Sequence, residues 1–436
     1  MAATGDYETR HISSDVWGTM KELRRERAKL SWEAQSTGGL CVTGFAWGHL
    51  SILAGFGNFG NPSPGAGYTR IAREGTGPEG LSKYVDIAES KGLLPVCGAI
   101  GAHMGQVWAN VSEKGTLGDR IRPDFVYQPM GCHALVKGGQ LCADILGLPI
   151  LHIDSPRKST DSAREYLYSQ LADAIEWIEK FTGKTFDDEK FIESAVNNMH
   201  SRAMWAKTAD LMKTVPAPMT FREAMSLRLP LVAYSYNSRT RDYTDALYNE
   251  INGRVQDGIS GTPYEKKRLM HEGLHPLYRP DILRWPEEYG AAFVWGPFFM
   301  AFGAWRHTED DRTIPAKTPE EQGLEINSRE DALRALVEFD LPLEGGMQDF
   351  SEKRMVLHTM RMIEDWHIDG VMSHLARRCP ALTGGILGRK SDFIEAGIPV
   401  GTYEASESDP KEFNEPQIRE DFVAFLESLG LTKLAS

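Results

Sequence analysis

Read as a string of apolar and polar positions, the chain falls into three stretches. In the first, short apolar runs bounded by Gly, Pro or Asp alternate with segments of helical spacing. Val16–Ala34 reads as a charged helix, and GGLCVTGFAW as a strand running into a turn. GPEGLSKYVDIAESKG reads as a helix closed by Gly92. LLPVCG, FVYQPM and ILHID read as strands, with helices over Gly101–Val111 and Ala134–Leu146 between them. Alternating strand and helix signals predict a mostly parallel sheet. From Asp161 to about Asp257 the period changes. SAREYLYSQLADAIEWIEKFTG and the segments after it carry apolar residues at helical spacing, and Pro216 and Pro218 break the run. From Lys266 the alternation returns. KRLMHEG, YGAAFVWG, DGVMSH and IPVGTYEA read as strands, and Ser351–Trp366, LTGGILGRKSDFIEAG and IREDFVAFLESLG as helices. The polar stretch Asp310–Gly323, with Pro315 and Pro319, reads as a surface excursion.

The predicted fold class is therefore α/β: two flavodoxin-like or Rossmann-like three-layer domains with parallel sheets, plus a helical region. The divisions are 1–160 for the N-terminal α/β domain, 161–265 for the helical region and 266–436 for the C-terminal α/β domain. A chain of 436 residues is long enough for such a division. Its net charge of -13 argues against a nucleic-acid partner, because phosphate binding needs a basic footprint. No apolar run is long enough for a membrane span, and the first residues lack the basic-then-apolar order of a signal peptide. A reducing cytoplasm is the expected location. The five cysteines do not form a disulfide framework pattern.

Three cysteines stand apart from the other two. Cys97, Cys132 and Cys379 each follow an apolar run and sit near the carboxyl end of a predicted strand, the edge where open α/β sheets bind ligands. Gly98, Gly101 and Gly105 surround the first, Gly131 and His133 flank the second, and Arg377, Arg378 and Pro380 flank the third. Small residues permit close approach to a bulky ligand, and positive charge lowers a thiol pKa. Taken singly, a cysteine after a strand is more often a small buried hydrophobe, and no CxxC occurs. Cys142 reads as the packed face of a helix, and Cys41 has only apolar and Gly neighbours.

The segments PVCGAIGAHMG, PDFVYQPMGCHALVKGGQLCADILGLPILHID and DGVMSHLARRCPALTGGILGRKSDFIEAGIPVGTYEASESDPKEFNE resemble the ligand segments of the family of ATP-dependent benzoyl-CoA reductases and 2-hydroxyacyl-CoA dehydratases. The resemblance covers nearly the whole length. IEWIEKFTGKTFDDEKFIESAVNNM and WGPFFMAFGAW look closer to the reductase side. The resemblance implies an iron–sulfur cluster held by Cys97, Cys132 and Cys379, either a 4Fe-4S cubane or part of a double-cubane arrangement. It implies a catalytic heterodimer with a homologous α/β subunit, an ATP-hydrolysing iron–sulfur partner fed by ferredoxin, and an acyl-CoA substrate. One departure is that Gly98 and Ala99 follow Cys97, where many relatives carry an aromatic or Ser-rich run.

On this reading the leading function is low-potential reduction of an aromatic acyl-CoA to a cyclic dienoyl-CoA, as in a benzoyl-CoA reductase catalytic subunit. The alternatives are a 2-hydroxyacyl-CoA dehydratase subunit and a non-catalytic electron-relay subunit. His133, His152 and His374 are the candidate proton donors, with His103, Glu404 and Asp409 behind them, since histidine transfers protons best near neutrality. Asn58–Thr69 and the aromatic segment Trp295–Trp305 are candidate walls for the acyl group. Arg377, Arg378 and Lys390 are candidate contacts for CoA phosphates. The chain carries neither GxxxxGK[ST] nor GxGxxG, so it gives no reason to expect ATP hydrolysis or NAD binding of its own.

Overall fold

The computed structural model describes residues 7–44, 48–60, 77–93, 97–110, 123–129, 132–156, 159–300, 302–310, 312–348, 352–379, 383 and 385–435. The N-terminal part runs α1 (Ser14–Glu33), β1 (Leu40–Thr43), α2 (Leu50–Gly55), β2 (Phe59–Gly60), α3 (Gly77–Ser90), α4 (Gly98–Asn110), β3 (Phe125–Pro129), α5 (His133–Leu146) and β4 (Ile150–Ile153). Its strands form a four-stranded sheet in the order β2-β1-β3-β4, parallel throughout. β1 and β3 are buried along their whole length, as strands covered on both faces must be. The expected strand at LLPVCG falls mostly on residues 94–96, outside the described residues. So does most of Asn58–Thr69, of which Asn58–Gly60 are described and Phe59 is buried. Helices α3 and α4 cross closely at Gly105, where a Cβ would stand 1.7 Å from the Tyr84 carbonyl oxygen.

The middle is helical as expected: α6 (Asp161–Thr182), α7 (Asp188–Asp210), α8 (Phe221–Leu227), α9 (Leu229–Tyr234) and α10 (Ser238–Gln256). In α6, Leu167, Leu171, Ala174, Ile175 and Ile178 fall on one face and are buried. The Thr160 hydroxyl caps the start by accepting from the Ala163 N–H, and Gly183 ends the helix at φ 69°.

The C-terminal part runs β5 (Lys267–Glu272), β6 (Ala291–Trp295), α11 (Pro297–Met300), β7 (Trp305–His307), β8 (Thr313–Pro315), α12 (Arg329–Gln348), α13 (Glu352–Asp365), β9 (Gly370–Ala376), α14 (Ile386–Glu395), β10 (Val400–Ala405) and α15 (Glu415–Ser428). A second parallel four-stranded sheet has the order β10-β9-β5-β6. Counted within their own halves, both sheets have the strand order 2-1-3-4, that of the flavodoxin-type doubly wound fold. In that order the connections reverse direction between the first and third strands. These are β1 and β3 in one sheet, β5 and β9 in the other.

The stretch Asp310–Gly323 is not a plain surface excursion. β8 pairs antiparallel with β7, and Thr313, Ala316 and Thr318 are buried. Packing also crosses the divisions drawn from sequence. Leu333, Leu336, Val337 and Phe339 of α12 join the core around the first sheet, while Val16, Met20 and Leu23 of α1 join the core around the second. α7 contributes to both, with Phe191 and Ala195 in one and Trp205 and Ala209 in the other.

A buried histidine ties α7 to its neighbours. His200 Nε2 lies 2.8 Å from Asp245 Oδ1, and Nδ1 lies 3.0 Å from Glu320 Oε2. Burial works against the charged ring, but the two carboxylates outweigh it and raise the His200 pKa. The folded-state pKa is above the unfolded one, so this contribution is complete below about pH 6.5 and is lost as pH rises through the folded value. The melting temperature of His200→Gln should therefore lie below that of the wild type at pH 6, with the gap narrowing by pH 8.5. A gap that stayed constant across this range would show that the charge on His200 contributes nothing.

Candidate functional site

Both reversal points carry a cysteine. Cys132 follows β3 and is the residue before α5, in extended conformation with φ -88° and ψ 162°. Cys379 follows β9 by three residues, and its N–H donates to the Ala376 carbonyl at 3.2 Å. Cys97 immediately precedes α4, and its carbonyl accepts from the Gly101 N–H at 2.8 Å. All three are half-buried, whereas Cys41 and Cys142 are buried. Cys97 and Cys132 pack against one apolar cluster that includes Ile100, Met104 and Val126. The Cys379 thiol adds to the rise of the Cys97 pKa. Cys97 thus shares an apolar cluster with Cys132 and feels the Cys379 thiol, both far from it in sequence.

The chemistry of Cys97 is set by its surroundings. Burial above all, then the Glu407 carboxylate and the Cys379 thiol, push its pKa well up. Main-chain hydrogen bonds at Ile100 and Ala99 pull it part of the way back. Such thiols stay protonated until a cation is present, and a bound metal ion reverses that preference outright. The donor set fits a soft, iron–sulfur type of centre in kind. Among the described residues no three His, Cys, Asp or Glu side chains stand close enough to hold a metal ion as they are. Each of the three cysteines adjoins residues outside the described set: 94–96, 130–131 and 380–382.

Glu407 escaped sequence reasoning. It lies in the loop after β10 and is 1% exposed. Its Oε1 accepts from the Gly98 N–H at 2.9 Å and lies 3.6 Å from Cys97 Sγ. Burial raises its pKa against those hydrogen bonds. The surrounding loop is equally buried: the Ser82 hydroxyl donates to Asp409 at 2.9 Å, and Arg378 pairs with Glu89 and Glu412, each at 2.6 Å.

The candidate proton donors separate clearly. His374 is fully buried, with Nδ1 on the Leu274 carbonyl and Nε2 3.1 Å from the Ala405 carbonyl. It stacks on Tyr403 at 4.5 Å, and burial lowers its pKa to about 4. Those contacts occupy the ring and remove it as a donor to a substrate. His103 is likewise fully buried, and burial lowers its pKa to about 3. His152 is exposed on β4, the edge strand; partial burial lowers its pKa against a hydrogen bond with the Gln128 main chain. His133 is exposed in the first turn of α5, next to Cys132. It is the one proposed donor that stands at a thiol.

Other expectations change too. Trp295 and Trp305 are 2% and 3% exposed and belong to the main core, where Trp295 packs 5.9 Å from Trp366. Those two rings form no open wall for an acyl group; the side chains at 298 and 299, and residue 301, lie outside the described residues. Arg378 is committed to Glu89 and Glu412 and is no spare cation for a CoA phosphate, whereas Arg377 is exposed and makes only a surface pair with Glu404 at 3.1 Å. Lys390 is half-buried on α14. Among the described residues no helix is long and apolar enough to cross a membrane.

Comparison with known proteins bears on this geometry. The family model described as 2-hydroxyglutaryl-CoA dehydratase, D-component, matches residues 79–429. The chain is 23% identical over 316 residues to the alpha subunit of (R)-2-hydroxyglutaryl-CoA dehydratase of Acidaminococcus fermentans, covering 70% of this chain and 60% of that one. It is 26% identical over 304 residues to the (R)-phenyllactyl-CoA dehydratase alpha subunit of Clostridium sporogenes, covering 68% of each. It is 25% identical over 204 residues to the (R)-2-hydroxyisocaproyl-CoA dehydratase alpha subunit of Clostridioides difficile, covering 45% of this chain and 49% of that one.

Proposed function

Since the chain belongs to the 2-hydroxyglutaryl-CoA dehydratase D-component family, we propose that it is a subunit of a 2-hydroxyacyl-CoA dehydratase, eliminating water to give a 2-enoyl-CoA. The observation that carries this reading is the family match over 79–429, which contains all three cysteines. The relatives' names, each an alpha subunit of a dehydratase acting on a 2-hydroxyacyl-CoA, support it. Those names, being of alpha subunits, also support a partner subunit; that low-potential electrons come from an ATP-hydrolysing iron–sulfur protein rests on the resemblance alone. Reduction of benzoyl-CoA has no comparable support: the family and the relatives named are those of dehydratases, and Trp295 and Trp305 are core.

In this reading Cys97, Cys132 and Cys379 hold an iron–sulfur cluster at the carboxyl edges of the two sheets. The cluster supplies the one-electron chemistry that side chains lack. Overall the reaction breaks the C2–O and C3–H bonds, forms the C2–C3 double bond and releases water, with no net oxidation. The protein's part is to exclude bulk water, orient the thioester and move the proton. We assign the proton transfer to His133, which is exposed and follows Cys132 in the chain.

Product analysis tests the assignment. The chain, co-expressed anaerobically with its partner subunit and given an ATP-dependent reductant, is incubated with a 2-hydroxyacyl-CoA and with benzoyl-CoA in parallel. A 2-enoyl-CoA is expected from the first and no ring reduction from the second. A cyclic diene from benzoyl-CoA would return the chain to the reductase branch.

A further inference from the structure

We propose that Glu407 is a positioning residue of the cysteine site, seating Cys97 from one half of the fold beside Cys379 from the other. The inference rests on the cluster reading given above and concerns a residue that touches no substrate. Glu407 is carried by the loop that follows β10, while Cys97 and Gly98 begin α4 more than half the chain away in sequence. Its Oε1 accepts the Gly98 N–H at 2.9 Å, and its own carbonyl accepts the Leu277 N–H at 2.9 Å. The residue is thus held by its main chain on one side and by its carboxylate on the other. The seat is tight: a Cβ at Gly98 would lie 3.1 Å from Ser406 Oγ, 3.1 Å from Ser408 Cβ and 3.2 Å from Glu407 Oε1. A larger residue at Gly98 would push this loop back by a few tenths of an ångström.

The anchor acts through the main chain, so it persists whatever the state of the Cys97 sulfur. A hydrogen bond from a main-chain N–H to a buried carboxylate is short and directional. It fixes where the preceding residue's sulfur can be. The flanking contacts, Ser82 to Asp409 and Glu89 to Arg378, close the same seam between α3 and the loops after β9 and β10. Cys379 belongs to that loop region, so holding Cys97 to the seam sets its distance from Cys379. Partners that orient a metal ligand from outside the coordination shell typically matter about 10–100-fold in metal affinity.

The test measures iron and acid-labile sulfide per chain in anaerobically purified protein, alongside circular dichroism. Glu407→Met removes the acceptor at similar volume and leaves no buried charge unpaired, so the fold should persist while iron binding weakens about 10–100-fold. Glu407→Gln keeps an oxygen acceptor for the Gly98 N–H and should restore iron to near the wild-type level. Full iron in Glu407→Met would overturn the proposal. Loss in Glu407→Gln equal to that in Glu407→Met would also overturn it, since the charge rather than the seat would then matter. Wild-type protein without iron is a different result: it would overturn the cluster reading itself.

Discussion

Cys132→Ser is expected to lose most of its iron and sulfide and to dehydrate 2-hydroxyacyl-CoA more than about a hundredfold more slowly, because the cofactor carries the hard step. Serine is close to cysteine in size, and the extended conformation at Cys132 suits it before a helix, so the fold has no reason to suffer. What changes is the donor. A hydroxyl oxygen is a hard ligand of high pKa, and iron–sulfur iron is held by thiolates. Cys142→Ala is the control. Cys142 lies on the buried face of α5, and burial pushes its pKa up to about 12. That variant should keep its iron. Colorimetric iron and sulfide per chain, with turnover in the same preparation, decide the matter. Full iron in Cys132→Ser would sink the ligand assignment.

The largest effect on stability should come from a residue far from the thiols. Glu265 and Arg268 form a buried ion pair, their side chains 1% and 5% exposed. Glu265 also accepts the Ala217 N–H at 2.8 Å. Arg268 spends its other donors on carbonyls of Met212 at 2.7 Å, Trp366 at 2.8 Å and Thr214 at 3.0 Å. The pair therefore binds the end of the helical region, β5 and the end of α13 together. Glu265→Ala leaves a buried guanidinium without its counter-charge, which typically costs about 3–5 kcal/mol. Glu265→Gln keeps an acceptor for both neighbours and should cost less. Urea unfolding followed by tryptophan fluorescence measures the difference; a loss below about 1 kcal/mol, the scale of an exposed pair, would mean the site relaxes or admits water.

The elements that were legible in the sequence share a physical cause. FVYQP, AAFVW and GVMSH are short apolar runs bounded by Gly, Pro or Asp, and each became a strand covered on both faces. The helical region announced itself by the spacing of Leu167, Leu171 and Ile175. Cys132 and Cys379 were visible because a strand-end position is a local property. Glu407 was not. SESDP reads as a solvated acidic turn, and contacts with residues distant in sequence, Gly98 among them, bury it. His374 misled for the same reason in reverse: it sits at a strand end, but its ring is fully buried between the carbonyls of neighbouring strand ends. The β7–β8 pairing was hidden because its residues, WRH and TIP, are too few and too polar to show a period.

The placement of α12 has a consequence for how the chain comes together during synthesis. The first sheet is complete in sequence by Ile153, yet its core takes Leu333, Leu336 and Val337 from a helix that begins at Arg329. Until that helix leaves the ribosome, apolar surface on α6 and α7 has no cover. The N-terminal half must wait, partly collapsed, for roughly ten seconds or more at usual elongation rates of about 5–20 residues per second. α1 faces the complementary delay, since Val16 and Met20 pack in the core of the second sheet. A nascent chain with two such exchanged pieces exposes apolar surface for longer than one built from self-contained halves, and is the kind of polypeptide that a holding chaperone serves.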